Sequence, residues 1–163
     1  MRRRALWPAL AGLCTWWLSG CATPTTDRHT PTWSGRFALR VLAEPPQAVS
    51  AGFELEGGPE AGVLRIVSPI GQTLATARWS SAGATLERQG SEQRHATLDA
   101  LTEALTGTPL PIAALFAWLQ GQAAHAEGWT VDLSAHHQNR LLAQRHNPLP
   151  TATLRVVFET PTP

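Results

Sequence analysis

The strongest constraint on this chain is a two-residue alternation of apolar and polar side chains that gives way once, in the middle, to a helical period. Phe37, Leu39 and Val41 alternate with Ala38 and Arg40, and Val49, Ala51, Phe53 and Leu55 with Ser50, Gly52 and Glu54. A period of two marks a strand with one face buried. Gly62–Val67, Gln72–Trp79, Ala84–Gln89 and Ser91–Ala96 continue as strands, with turns at Pro45-Pro46, Gly57-Gly58-Pro59, Ser68-Pro69-Ile70-Gly71 and Gly90. The period then changes. Leu98, Leu101 and Leu105 fall on one helix face, between a candidate N-cap, Thr97, and a candidate C′ glycine, Gly107. A second helix begins at Pro111 and presents Ile112, Leu115, Phe116 and Leu119 before Gly121. Strands return at Trp129–Leu133, Asn139–Gln144 and Leu154–Phe158, with a break at Asn147–Pro150.

About six strands, two or three short helices and about three strands define a mainly β protein. Short turns between neighbouring strands make the sheet antiparallel. A sheet of this size curls toward a barrel or half-barrel, and the helices have its concave side or mouth on which to bury their apolar faces. Residues 33–160 form one domain, large enough for a sizeable core.

The first twenty residues stand apart. Arg2-Arg3-Arg4 precedes a short apolar run, Ala5–Trp17, interrupted by Pro8 and too short for a good membrane span. Leu18-Ser19-Gly20-Cys21 follows and resembles a bacterial lipobox, which implies cleavage after residue 20 and lipid on Cys21. The alternative is an ordinary secretory signal with an incidental cysteine. Residues 1–20 are expected to be a signal peptide and residues 21–32 a lipidated N-terminus and polar, proline-broken tether. The eleven residues 22–32 reach roughly 35 Å when fully extended. By resemblance to the sorting of proteobacterial lipoproteins, where Asp after the cysteine favours the inner membrane, Ala22 implies the outer membrane and a domain facing the periplasm.

Charge and chemistry exclude several classes. All thirteen basic residues are arginine, against twelve acidic residues. Loss of Arg2–Arg4 leaves ten against twelve, net −2, so neither nucleic acid nor a polybasic membrane tail is indicated. With only Cys14 and Cys21, no disulfide framework or thiolate zinc site is expected. No nucleophile elbow, zincin motif or phosphate loop occurs. His136-His137 would point to opposite faces of a strand, and six dispersed histidines suggest no metal. Glu54 and Glu56 share a strand face and admit a paired-carboxylate site, although a solvated face is the plainer reading. No enzyme, cofactor or metal is expected. An apolar cavity between sheet and helices is conceivable, with simple core filling as the alternative. Ile70, between Pro69 and Gly71 at a hairpin tip, either touches lipid or folds back on the sheet.

From the lipobox to about Phe158 the chain resembles the LolB family of outer-membrane lipoprotein receptors. The matching segments are Trp33-Ser34-Gly35-Arg36-Phe37, Ser68-Pro69-Ile70-Gly71, Leu105-Thr106-Gly107-Thr108-Pro109-Leu110-Pro111-Ile112 leading to Leu115, Trp118, Leu119 and Gly121, then Gly128-Trp129-Thr130-Val131 and Leu154–Phe158. The resemblance implies an open antiparallel half-barrel with a helical lid over an apolar cavity. It implies a receptor that takes lipoproteins from the periplasmic carrier LolA and inserts them into the outer membrane without nucleotide. The family's membrane-insertion loop falls on Pro69, Ile70 and Gly71, with Ile70 in place of a leucine. The expected acyl-chain cavity and lid are Phe53, Leu64, Ile66, Leu115, Trp118 and Leu119. Expected partners are LolA, lipoprotein acyl chains and the inner leaflet of the outer membrane; the protein is expected to be a monomer. Cys21–Trp33 is too short for the N-terminal helix of some members, and Thr160–Pro163 stands where many have a final Trp. The alternative function is a structural or envelope-assembly module with a filled core.

Overall fold

The computed structural model describes residues 33–159, so Cys21, the signal segment and the tether lie outside the described residues. Nine strands form one antiparallel sheet: β1 (Trp33–Leu42), β2 (Gln47–Gly57), β3 (Gly62–Val67), β4 (Thr73–Ser80), β5 (Gly83–Arg88), β6 (Ser91–His95), β7 (Trp129–Asp132), β8 (Arg140–Arg145) and β9 (Thr151–Glu159). Their order is β6-β5-β4-β3-β2-β1-β9-β8-β7. β6 and β7 are the two edges and do not pair, so the sheet stays open.

Chain order explains this shape. β1 to β6 form a meander that walks to one edge. Two helices, α1 (Leu98–Thr106) and α2 (Ile112–Leu119), carry the chain from that edge to the opposite one. β7 to β9 then walk back until β9 pairs with the outer side of β1, from Ser34↔Glu159 to Leu42↔Thr151. The helices thus lie on one face, which becomes the inner face. Leu101, Ile112, Leu115 and Phe116 join one core with Leu39, Phe53, Leu55, Leu64, Leu86, Leu154 and Val156 from the strands.

Local chemistry places the helix ends. The Thr97 side chain accepts from the Ala100 N–H, and the Gly107 N–H donates to the Glu103 carbonyl at φ 76°, the left-handed conformation that favours glycine. Pro111 precedes α2, and Gly121 lies just beyond its end with φ 77°. His136 and His137 occupy a 3-10 turn, His136–Gln138, rather than a strand.

Candidate functional site

An apolar cavity of about 190 Å³ lies between the sheet and the helices. Phe37, Val49 and Phe53 from β1 and β2, Leu64 and Ile66 from β3, Leu74, Ala75 and Ala77 from β4, and Leu154 and Val156 from β9 form its sheet side. Leu101, Leu105, Leu110, Ile112 and Leu115 form the helical side. Strand alternation aims these side chains inward, and the register confirms one shared face: Phe37 opposes both Ala51 and Val156, while Ile66 opposes both Phe53 and Ala75. The two lining threonines are internally satisfied. The Thr106 hydroxyl lies 2.8 Å from the Thr102 carbonyl and 2.9 Å from that of Thr108, and Thr102 Oγ1 accepts from the Leu110 N–H at 2.9 Å. Their polar atoms are therefore committed to the α1–α2 connection, and the wall presents carbon.

The cavity has a closed end and an open one. Trp33 packs edge-on against Phe158 (5.7 Å) and Trp79 against Phe116 (6.4 Å), closing the end where β1 starts. Among the lining residues Val49, Leu74 and Arg88 are exposed, and they mark the mouth. Leu74 follows directly from the β3–β4 turn. That turn has the chemistry of a type I turn followed by a left-handed residue: Ser68 first, Pro69 second, Gly71 fourth. The Gly71 N–H donates to the Ser68 carbonyl (2.9 Å), the Ser68 N–H to the Gln72 carbonyl (2.8 Å), and the Gln72 N–H to Ser68 Oγ (3.1 Å). Gly71 has φ 80° and open space around it. Ile70 is thereby held at the apex, 79% exposed; it does not fold back on the sheet.

The structure brings together four of the six residues assigned to the cavity from sequence: Phe53, Leu64, Ile66 and Leu115 line it. Trp118 and Leu119 do not. Leu119 shares a helix face with Ile112 and Leu115 but sits about 6 Å further along the axis, beyond the cavity end. Both are fully buried and anchor α2. The Trp118 indole N–H donates to the Ala124 carbonyl (3.0 Å), and His136 Nε2 donates to the Leu119 carbonyl (2.9 Å), which fixes the proton on that nitrogen. The buried Arg145 guanidinium ties the α1–α2 connection to β8 by donating to the Thr108 hydroxyl, and its Nε–H donates to the Pro148 carbonyl at 3.1 Å. Among the described residues no side-chain hydrogen bond joins α1 to the sheet.

Sequence reasoning missed Phe37, Val49, Leu74, Leu101, Leu105, Ile112, Leu154 and Val156 as lining residues. For two of them a local signal was available: Val49 is in strand phase with Phe53, and Ile112 is in helical phase with Leu115. The Glu54–Glu56 pair forms no acid–base site: both carboxylates are on the outer face, and Arg65 Nη1 contacts Glu56 at 2.5 Å and Glu54 at 3.7 Å. Among the described residues, no three His, Cys, Asp or Glu side chains group as a metal site, and no helix is long and apolar enough to cross a membrane.

The described residues thus form an open antiparallel sheet with two helices on its inner face, an apolar cavity between them and an exposed apolar turn beside the mouth. A sequence model described as "Outer membrane lipoprotein LolB" matches residues 31–156, and the chain belongs to the LolB family. Among relatives named "Outer-membrane lipoprotein LolB", that of Ralstonia nicotianae is 33% identical over 132 residues, 73% of this chain and 63% of its own length. That of Cupriavidus metallidurans is 32% identical over 118 residues, 66% of this chain and 58% of its own. That of Chromobacterium violaceum is 27% identical over 192 residues, 98% of this chain and 99% of its own. The aligned parts thus span about three fifths of the first two relatives.

Proposed function

We propose that this protein is an outer-membrane lipoprotein receptor. Anchored by lipid on Cys21 and facing the periplasm, it takes lipoproteins from the carrier LolA and inserts them into the membrane without nucleotide or cofactor. One observation carries this reading. An apolar cavity opens beside an exposed apolar turn, and Leu74 belongs to both the lining and the exposed surface that continues to Ile70. A filled core, as an assembly module would have, gives no reason for either feature. The family name shared with the relatives supports the same reading.

The cavity sets a requirement. A space of about 150 Å³ holds a benzene-sized guest, so 190 Å³ takes only part of an acyl chain. Loading must widen it. α2 is tied down through Trp118 and Leu119, whereas α1 rests on the sheet through Leu98, Leu101 and Leu105 and, among the described residues, is held by hydrogen bonds only toward its C-terminal end. α1 is therefore the lid element that gives way. Burying one chain of ~15 methylenes is worth up to about 12 kcal/mol gross. The widened cavity must bind the chain better than the carrier does and less well than the bilayer.

A chain beginning at Ala22 keeps every described strand, both described helices and the described core. Mixing that chain with lipoprotein-loaded LolA and recovering each protein separately tests the proposal. Cargo on the receptor without ATP is expected. Cargo left on LolA, with the domain folded, would instead favour the assembly-module alternative.

A further inference from the structure

The outer face of the sheet carries seven arginines in two unlike groups. On β3, β4 and β6, Arg65, Arg78 and Arg94 each have a carboxylate: Glu56 at 2.5 Å, Glu87 at 3.2 Å and Glu92 at 3.3 Å. On β1, β9 and β8, Arg36, Arg40, Arg155 and Arg140 are exposed, and none is in an ion pair among the described residues. The register clusters these four. Ala38 and Leu142 lie directly opposite Arg155, so Arg36, Arg40 and Arg140 are all its diagonal neighbours. Diagonal neighbours on one face sit about 7–8 Å apart, and like charges so placed repel. Three carboxylates stand at the edge of the cluster: Glu159 is a diagonal neighbour of Arg36 and Arg140, Asp132 of Arg140, and Glu54, 3.7 Å from Arg65, of Arg36. Glu159 accepts from the Ser34 hydroxyl (3.2 Å), and Asp132 accepts from the Ser134 N–H (2.9 Å), which lowers its pKa. None of these carboxylates is within ion-pair distance of the four arginines, so the patch keeps an excess of positive charge that suits an anionic partner.

The same register says which partner. Val67, at the base of the Ile70 turn, opposes Gly52, which opposes Arg36, which opposes Val157, which opposes Arg140. The turn and the arginines therefore occupy one band across the sheet, with β1 only about 10 Å from β3 at the usual strand spacing. Between the arginines are exposed Val157 and Ala38. We propose that this arginine face is a second membrane-contact surface, binding the anionic headgroups of a phospholipid bilayer as Ile70 enters it. Arginine's fork suits phosphate, and the attraction would hold the sheet against the bilayer beside the Ile70 turn. The inference rests on the membrane-delivery reading of the Ile70 turn.

The test is co-sedimentation of residues 22–163 with vesicles of phosphatidylcholine alone or of equal parts phosphatidylcholine and phosphatidylglycerol, at low and high salt. Preference for the anionic vesicles, lost in high salt, is expected. The Arg36→Gln/Arg155→Gln variant should lose it by about fivefold per arginine, while Arg78→Gln/Arg94→Gln changes it little. Equal binding to both vesicles, equal losses in both variants, or capture by polyglutamate beads without vesicle binding overturns the proposal; the last assigns the face to an acidic protein. A fatty-acid displacement titration on the same samples separates the two readings. Probe binding without anionic preference overturns only the arginine face, and anionic preference without probe binding contradicts the receptor.

Discussion

The cavity and the Ile70 turn are both apolar, are joined through Leu74, and are treated in opposite ways. In the cavity, Phe53 and Leu64 are nearly lost to solvent and the polar atoms of Thr102 and Thr106 are turned to their own connection. In the turn, three hydrogen bonds and a left-handed glycine hold an isoleucine out in water, where it contributes nothing to the core. Burial stabilises the first; only contact with an apolar phase outside the protein would reward the second. Under the proposed function, fold stability and delivery are assigned to separate residues, so substitutions should separate them.

The largest effect is expected away from both regions. Trp118→Ala removes a fully buried anchor of α2 and should cost about 3–5 kcal/mol in urea unfolding; the milder Trp118→Phe should leave fatty-acid binding intact, because Trp118 does not line the cavity. Ala75→Leu adds bulk to the lining and should cost about 1–3 kcal/mol while weakening acyl-probe binding in a displacement titration. Equal affinity there would mean the probe binds elsewhere. Gly71→Ala meets no neighbour, so only left-handed strain remains, about 1–2 kcal/mol; it should blunt membrane delivery while sparing probe binding. Ile70→Ser should change stability by under about 0.5 kcal/mol and probe affinity not at all, yet slow delivery. A stability loss matching Trp118→Ala would erase the distinction between the two regions.

Much of this was legible in the sequence because it is local. Alternation located the strands to within a residue or two, except that β1 begins at Trp33, ahead of the alternating Phe37–Val41 stretch, and β9 at Thr151, ahead of Leu154–Phe158. Thr97 and Gly107 marked the ends of α1, and Ser68-Pro69-Ile70-Gly71 identified the exposed turn. What was not legible depends on distant partners. Nothing local shows that β9 returns beside β1, and without that pairing the clustering of Arg36, Arg140 and Arg155 is invisible. Trp118 and Leu119 illustrate the same limit. Apolar residues on a helix read alike whether they face a cavity or plug its end, and only their distance along the axis, set against the sheet, decides.

The central claim is that cargo rests in the cavity and leaves by way of the turn. The most direct measurement follows one labelled lipoprotein from LolA, through residues 22–163 of this protein, into vesicles, with the native chain and with Ile70→Glu side by side. The native chain should pass cargo into the vesicles, and Ile70→Glu should take it from LolA but hold it. Equal arrival in the vesicles with both chains would contradict the role of the turn, and failure of both to take cargo would contradict the role of the cavity.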